Sequence, residues 1–305
     1  MLRHKFGRTD LEVTPLGYGS AEIGIGDVDQ QQAGKILNAV LDAGINVIDT
    51  AACYGDSEVK IGKAISSRRN EYVLVSKCGH NRENMDLSHE AWSPELITES
   101  VEKSLERLQT DRLDVVYLHS CDADKLDNQD MLDALVKCKE DGKVRFIGYS
   151  GDAAGAEKAV GMDVFDALET SVNFVDQQGL KRYLPTAHHR NLGVLAKRPI
   201  ANGCWRGLDA FEGFYRDYVK TYVERLDKMA LTPEKVGFDG SWAEMALRFT
   251  VHQEGVHTAI VGSTNPDHIR GNVQMVDRGP LPEPVVAEIE KLWDQHSDES
   301  WVGQV

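Results

Sequence analysis

Apolar positions along this chain come in two rhythms that take turns. Short runs suited to buried strands lie at 13–19, 45–49, 72–76, 113–118, 144–149, 164–169, 193–196 and 258–261. Between them, apolar residues recur at helical spacing. Ala33, Ile36, Leu37, Val40 and Leu41 predict a helix over 29–43, which Gly44 ends. Ser93-Pro94 starts another, carried by Leu96, Ile97, Val101, Leu105 and Leu108, with Ser as cap and Pro at the first helical position. Further helices are predicted at 129–140 (closed by Asp141-Gly142), 153–160, 177–189, 240–254 and 265–274, the last opening a final helix pair. Residues 1–13 read as two short strands joined at Gly7-Arg8, a hairpin ahead of the main fold.

Eight strand–helix alternations in about 270 residues predict one closed parallel α/β barrel. The fold class is a (β/α)8 barrel with an N-terminal β-hairpin, one domain over 1–305. An open doubly wound sheet is the alternative, but no GxGxxG follows the first strand. One segment breaks the rhythm, a long loop after strand seven at 200–239. It holds Trp205, Phe211, Phe214, Tyr215, Tyr218 and Tyr222, with a helix near 213–229. Such a loop reads equally as a substrate lid and as a satellite core or oligomer contact.

Charge narrows the function. A net charge of −15 and a pI near 5.1 exclude electrostatic gripping of nucleic acid or of anionic membrane. Neither a signal-peptide run nor a bilayer-length apolar stretch is present, so a cytoplasmic protein is expected. The five cysteines lack CxxC spacing and read as reduced thiols. His188 and His189 are adjacent and unaccompanied by a cysteine pair, so no metal site is expected. Nothing in the pattern favours one oligomeric state.

The chemistry gathers at strand ends. In the stretch INVIDTAACYG (45–55), an apolar run stops at Asp49, and Tyr54 follows on the turn. Strand three ends at Ser76-Lys77 and strand four at Leu118-His119. Singly, these are a capping carboxylate, a surface phenol, a solvated ammonium and a satisfied imidazole. In a parallel barrel the C-terminal strand ends share one face, so all four converge.

The runs DTAACYGDSE (49–58) and VVYLHS (115–120), Lys77 on strand three, and IVGSTNPDHIRGN (260–272) resemble the aldo-keto reductase family. The resemblance follows order and spacing over the whole chain. It implies a TIM barrel that binds a nicotinamide cofactor without a Rossmann domain, uses its A-face hydride and needs no metal. The matching catalytic residues are Asp49, Tyr54, Lys77 and His119. Their roles are physically reasonable. A tyrosine with a pKa of about 10 shuttles protons poorly near neutrality, and a Lys77 ammonium held by Asp49 is expected to lower it. His119 would hydrogen-bond the substrate oxygen.

The resemblance also assigns cofactor contacts, several of them altered. Ser20 matches a nicotinamide-ribose contact. Ser150 matches the serine of a Ser-Asn carboxamide pair whose partner here is Gly151. Glu169 stands where the family commonly has glutamine. Lys197-Arg198-Pro199 replaces Tyr-Ser-Pro, with Asn202 beyond it. At the adenosine end stand Gly262, Ser263, Thr264, His268 and Asn272. NADP(H) is the family default. The absence of a cation at 262–264 makes NAD(H) its rival, unless Arg270 points back at the site.

Trp92 and Trp205 are candidate sugar-stacking residues, and Trp293 and Trp301 are within reach of the mouth. Cys53, Cys78 and Cys121 sit beside catalytic positions, either as small packing residues or as thiols of lowered pKa. The expected function is NAD(P)-dependent hydride transfer on a small aldehyde, ketone or sugar, with Tyr54 as acid/base. The alternatives are an NAD-linked sugar or polyol dehydrogenase and a cofactor-binding regulatory subunit with little turnover.

Overall fold

The computed structural model describes residues 1–82 and 85–304, with Phe214 described in its backbone alone. Two short strands, β1 (His4–Lys5) and β2 (Glu12–Val13), pair antiparallel as the expected hairpin. Eight more strands follow: β3 (Leu16–Gly19), β4 (Val47–Asp49), β5 (Val73–Cys78), β6 (Leu113–His119), β7 (Val144–Ser150), β8 (Ala167–Ser171), β9 (Gly193–Lys197) and β10 (Thr258–Val261). They close into a parallel barrel in the order β10-β3-β4-β5-β6-β7-β8-β9.

The helices are α1 (Ala21–Ile25), α2 (Gln30–Asp42), α3 (Ser57–Ile65), α4 (Pro94–Leu108), α5 (Gln129–Glu140), α6 (Ala153–Ala159), α7 (Gln178–Arg182), α8 (Leu184–His189), α9 (Gly213–Met229), α10 (Trp242–Val251), α11 (Pro266–Val276) and α12 (Glu283–His296). Asp29, Ser93, Asn128 and Ser241 cap their helices by accepting a hydrogen bond from a first-turn amide. The apolar spacing does not announce α3, and it predicts one helix over 177–189. The chain instead breaks at Tyr183, just ahead of Pro185, which has no N–H to continue the ladder.

Strand side chains alternate faces, and here the alternation builds two cores. Val47, Val73, Val75, Val115, Tyr117, Ala167 and Leu195 point inward and pack with Phe6, Leu11 and Val13 of the hairpin, which closes the N-terminal end of the barrel. Ile48, Leu74, Val116, Leu118, Ile147, Leu168 and Val194 point outward against the helices. A third core answers the question of the long loop. Tyr222, Val219 and Met229 of α9 pack with Phe174, Phe249, Ile289, Trp293 and Trp301, so this segment builds a satellite core. Trp205 belongs with it, stacked on Trp242 at 5.8 Å between ring centroids and 5° between planes. Trp293 and Trp301 are likewise buried there, edge-on to each other.

Candidate active site

The inward alternation continues past the apolar layers to the C-terminal strand ends, where it delivers polar residues. Asp49 follows Val47, Lys77 follows Val75, His119 follows Tyr117 and Glu169 follows Ala167, each two residues on. Register sets His119 beside Ser150 and Ser150 beside Glu169. The buried Lys77 ammonium donates to Asp49 Oδ1 at 2.6 Å and to the Thr50 carbonyl at 3.0 Å. It also lies 3.3 Å from Glu169 Oε2, a second carboxylate that the sequence reading did not connect to it.

Tyr54 arrives on the turn after β4. Gly55 takes φ +55° there and packs against Gly24 of α1, an approach that a side chain at either position would block. The turn sets Lys77 Nζ 5.1 Å from the centroid of the Tyr54 ring, and that ring meets His119 edge-on at 5.7 Å. The four residues predicted to act together do share one buried space.

The charge balance of that space differs from the expected one. Burial works against the Lys77 ammonium, yet Asp49 and Glu169 overcome it and hold its pKa well above the ordinary value. Asp49 is pushed up to about 8, by burial first and then by the negative charge of Glu169. Tyr54 was expected to be lowered, and it is raised instead. Burial dominates, Lys77 pulls down as anticipated, and Asp49 and Glu169 push back. Burial, then Lys77, holds the His119 imidazole well below its usual pKa and therefore neutral.

His119 is oriented by a contact that the sequence reading missed. Cys53 Sγ lies 3.3 Å from His119 Nδ1. Burial pushes the Cys53 thiol up, so it keeps its proton beside Nδ1; with that thiol donating, neutral His119 carries its own proton on Nε2. The three thiols near the site are therefore not of lowered pKa. Cys78 and Cys121 are also raised by burial, Cys121 to about 12, and the packing explanation holds.

His80 continues the line outward, 4.8 Å from His119 between ring centroids and edge-on to Trp92 at 5.1 Å. Gly79 has no side chain to keep Trp92 away, which puts that indole at the rim. Cys53, His80 and His119 have donor atoms within 4.8 Å of one another, the one such trio found among the described residues. Arg82 Nη2 stands 3.5 Å from His80 Nδ1 and sets a cation against that cluster.

After β3 and on the β7–β10 side, the expected cofactor contacts are partly committed to the protein itself. Ser20 Oγ donates to the Asp49 carbonyl at 2.6 Å and accepts from Ser57 at 2.8 Å. Lys197 pairs with the buried Asp152 at 2.8 Å. Arg198 donates to Tyr218 Oη at 2.6 Å and to the Gln304 carbonyl. Ser263 Oγ meets His268 Nδ1 at 3.4 Å, Thr264 is exposed and Asn272 is half-buried. Arg270 turns to Asp267 at 2.5 Å and does not supply the missing cation. Beside Gly262 stands a carboxylate: a Cβ there would lie 3.3 Å from the Glu22 carboxyl carbon, and burial raises the Glu22 pKa.

Glu169 Oε2 and Asn202 Nδ2 are among the nine buried side-chain polar atoms that have no hydrogen-bond partner among the described residues. An acceptor and a donor left open at the mouth fit a polar nucleotide.

Known proteins agree with this architecture. A family model described as the Aldo/keto reductase family matches residues 15–294. This chain belongs to that family. Among its relatives are an L-galactose dehydrogenase of Arabidopsis thaliana, 25% identical over 97% of this chain and 95% of the other. An NADH-specific methylglyoxal reductase of Escherichia coli is 26% identical over 90% of this chain and 93% of its own. The holo form of an aldo-keto reductase from Bacillus halodurans superposes with a TM-score of 0.79, at 27% identity over 96% of both chains. As an aldo-keto reductase, the protein is an oxidoreductase of the class that uses nicotinamide cofactors on small carbonyl compounds. No helix among the described residues is long and apolar enough to cross a membrane.

Proposed function

We propose that this aldo-keto reductase is an NAD-linked oxidoreductase acting on the carbonyl or carbinol carbon of a small aldehyde, ketone or sugar. The observation that carries the reading is the cluster of Asp49, Tyr54, Lys77 and His119. When bound, the nicotinamide supplies or accepts hydride at C4. Tyr54 moves the accompanying proton to or from the substrate oxygen. Lys77, clamped by Asp49 and the Thr50 carbonyl, sets a fixed positive charge beside the Tyr54 ring and opposes the burial that keeps the phenol protonated. His119 donates from Nε2 to the substrate oxygen because Cys53 occupies Nδ1.

The choice of NAD rests on the adenosine end. A 2′-phosphate would meet no lysine or arginine at 262–264, an Arg270 already paired, and the Glu22 carboxylate beside Gly262. Ser150, Glu169, Asn202, Ser263, His268 and Asn272 are the proposed nucleotide contacts, and Trp92 the substrate wall. Trp205, stacked on Trp242, is not part of that proposal. The NADH-specific methylglyoxal reductase among the relatives supports the same direction.

Titrating the protein with NADH and with NADPH, followed by quenching of tryptophan fluorescence, tests this. Tighter binding of NADH is expected. Tight NADPH with feeble NADH would overturn the cofactor assignment, and binding of neither would overturn the enzyme reading.

A further inference from the structure

Resting on the nicotinamide-binding reading above, we infer that Glu169 makes the site select the oxidised, positively charged cofactor over the reduced one, and that the selection expels a proton. The inner mouth holds two buried carboxylates, Asp49 and Glu169, against a single ammonium, Lys77, at 2.6 and 3.3 Å. The other ionisable groups around them do not restore the balance. Tyr54 and Tyr117 are phenols raised by burial, and His119 is a neutral imidazole. Lys197 on β9 is taken by Asp152 at 2.8 Å, and Arg225 on α9 faces Asp176 at 3.6 Å. Arg198 points to Tyr218 Oη and the Gln304 carbonyl.

One negative charge is thus left without a cation, and Glu169 Oε2 is left without a hydrogen bond. Burial first, and then the negative charge of Glu169, raises Asp49, so a pair of carboxylates around one ammonium holds on to a proton.

The oxidised nicotinamide ring carries one positive charge and the reduced ring none, while the rest of the nucleotide is the same. A cation entering beside Glu169 replaces the proton, so the oxidised cofactor binds and a proton leaves. The reduced cofactor finds no such complement. A glutamine at 169 would carry no charge and make no such distinction. The sign follows from linkage: below about pH 8 the site must lose its proton to bind, so oxidised-cofactor affinity rises with pH up to that region.

The test is calorimetric titration of the protein and of Glu169→Gln with NAD+, NADH, NADP+ and NADPH. Each titration is run at pH 7 in two buffers of different ionisation enthalpy. In the wild type we expect release of about one proton with the oxidised form and none with the reduced form. Glu169→Gln should lose that release and shift the oxidised-to-reduced preference about tenfold toward reduced. Equal proton counts for the two forms, or an unchanged preference in the variant, would overturn the inference while cofactor binding still stood. Binding of no cofactor by the wild type would instead overturn the oxidoreductase reading, and this inference with it. Should Glu169→Gln fail to fold, proton release in the wild type and the pH slope of its NAD+ affinity decide alone.

Discussion

On the β4–β6 side of the barrel mouth, the buried Asp49 and Lys77 and the half-buried Tyr54 and His119 are aimed at one another. On the β7–β10 side, Lys197, Arg198 and Arg270 are spent on Asp152, Tyr218 and Asp267. A proton must pass between atoms in contact, so the first side tolerates little change in residue type or position. On the proposed function the second side binds a nucleotide by many partial contacts, so it can alter its charges and shift affinity without losing the reaction. The two sides meet at Lys77, where Glu169 from β8 joins Asp49 from β4. That shared ammonium makes the charge of the cofactor side relevant to the chemistry of the other.

The largest effect should break the first side alone. Tyr54→Phe is expected to lower kcat by about a thousandfold, within the range for loss of a positioned acid/base, and to leave cofactor affinity nearly intact. A variant that kept more than a few per cent of the wild-type rate would remove Tyr54 from its role. The next effect belongs to the second side. Glu22→Gln combined with Gly262→Arg supplies a cation and removes a carboxylate, and should improve NADPH relative to NADH by about tenfold in fluorescence titration. No change in that ratio would mean that the adenosine end lies elsewhere. The smallest effect should again fall on the first side. Cys53→Ala frees His119 Nδ1 and lets the ring take either tautomer, so kcat should fall by about threefold to tenfold with little change in KM. Steady-state rates equal to wild type would show that the Cys53–His119 contact does not orient the ring.

The legibility of the two sides differed in the same way. Asp49, Lys77 and His119 were readable because each closes a strand whose apolar alternation was already visible, and the barrel brings strand ends together. Glu169 was readable as a position but not as a partner of Lys77. Asp152 and Glu22 were not picked out, although each stands two residues past a residue that was: Ser150 and Ser20. The α3 helix went unread beside the better-defined signal of DTAACYGDSE. The lowered Tyr54 pKa was expected from Lys77 alone, without the second carboxylate or the full weight of burial.

The amino-acid sequence determined what repeats locally. The strand and helix periods, the capping residues and the arrival of Asp49, Lys77 and His119 on one face all follow from side-chain spacing within a few residues. Only the closed barrel decided which charges meet. Asp49 and Glu169 are 120 positions apart, and no spacing rule relates them; the register running from β4 round to β8 does. Burial then sets the result, because charge pairs that water would screen act at full strength in the dry mouth of the barrel.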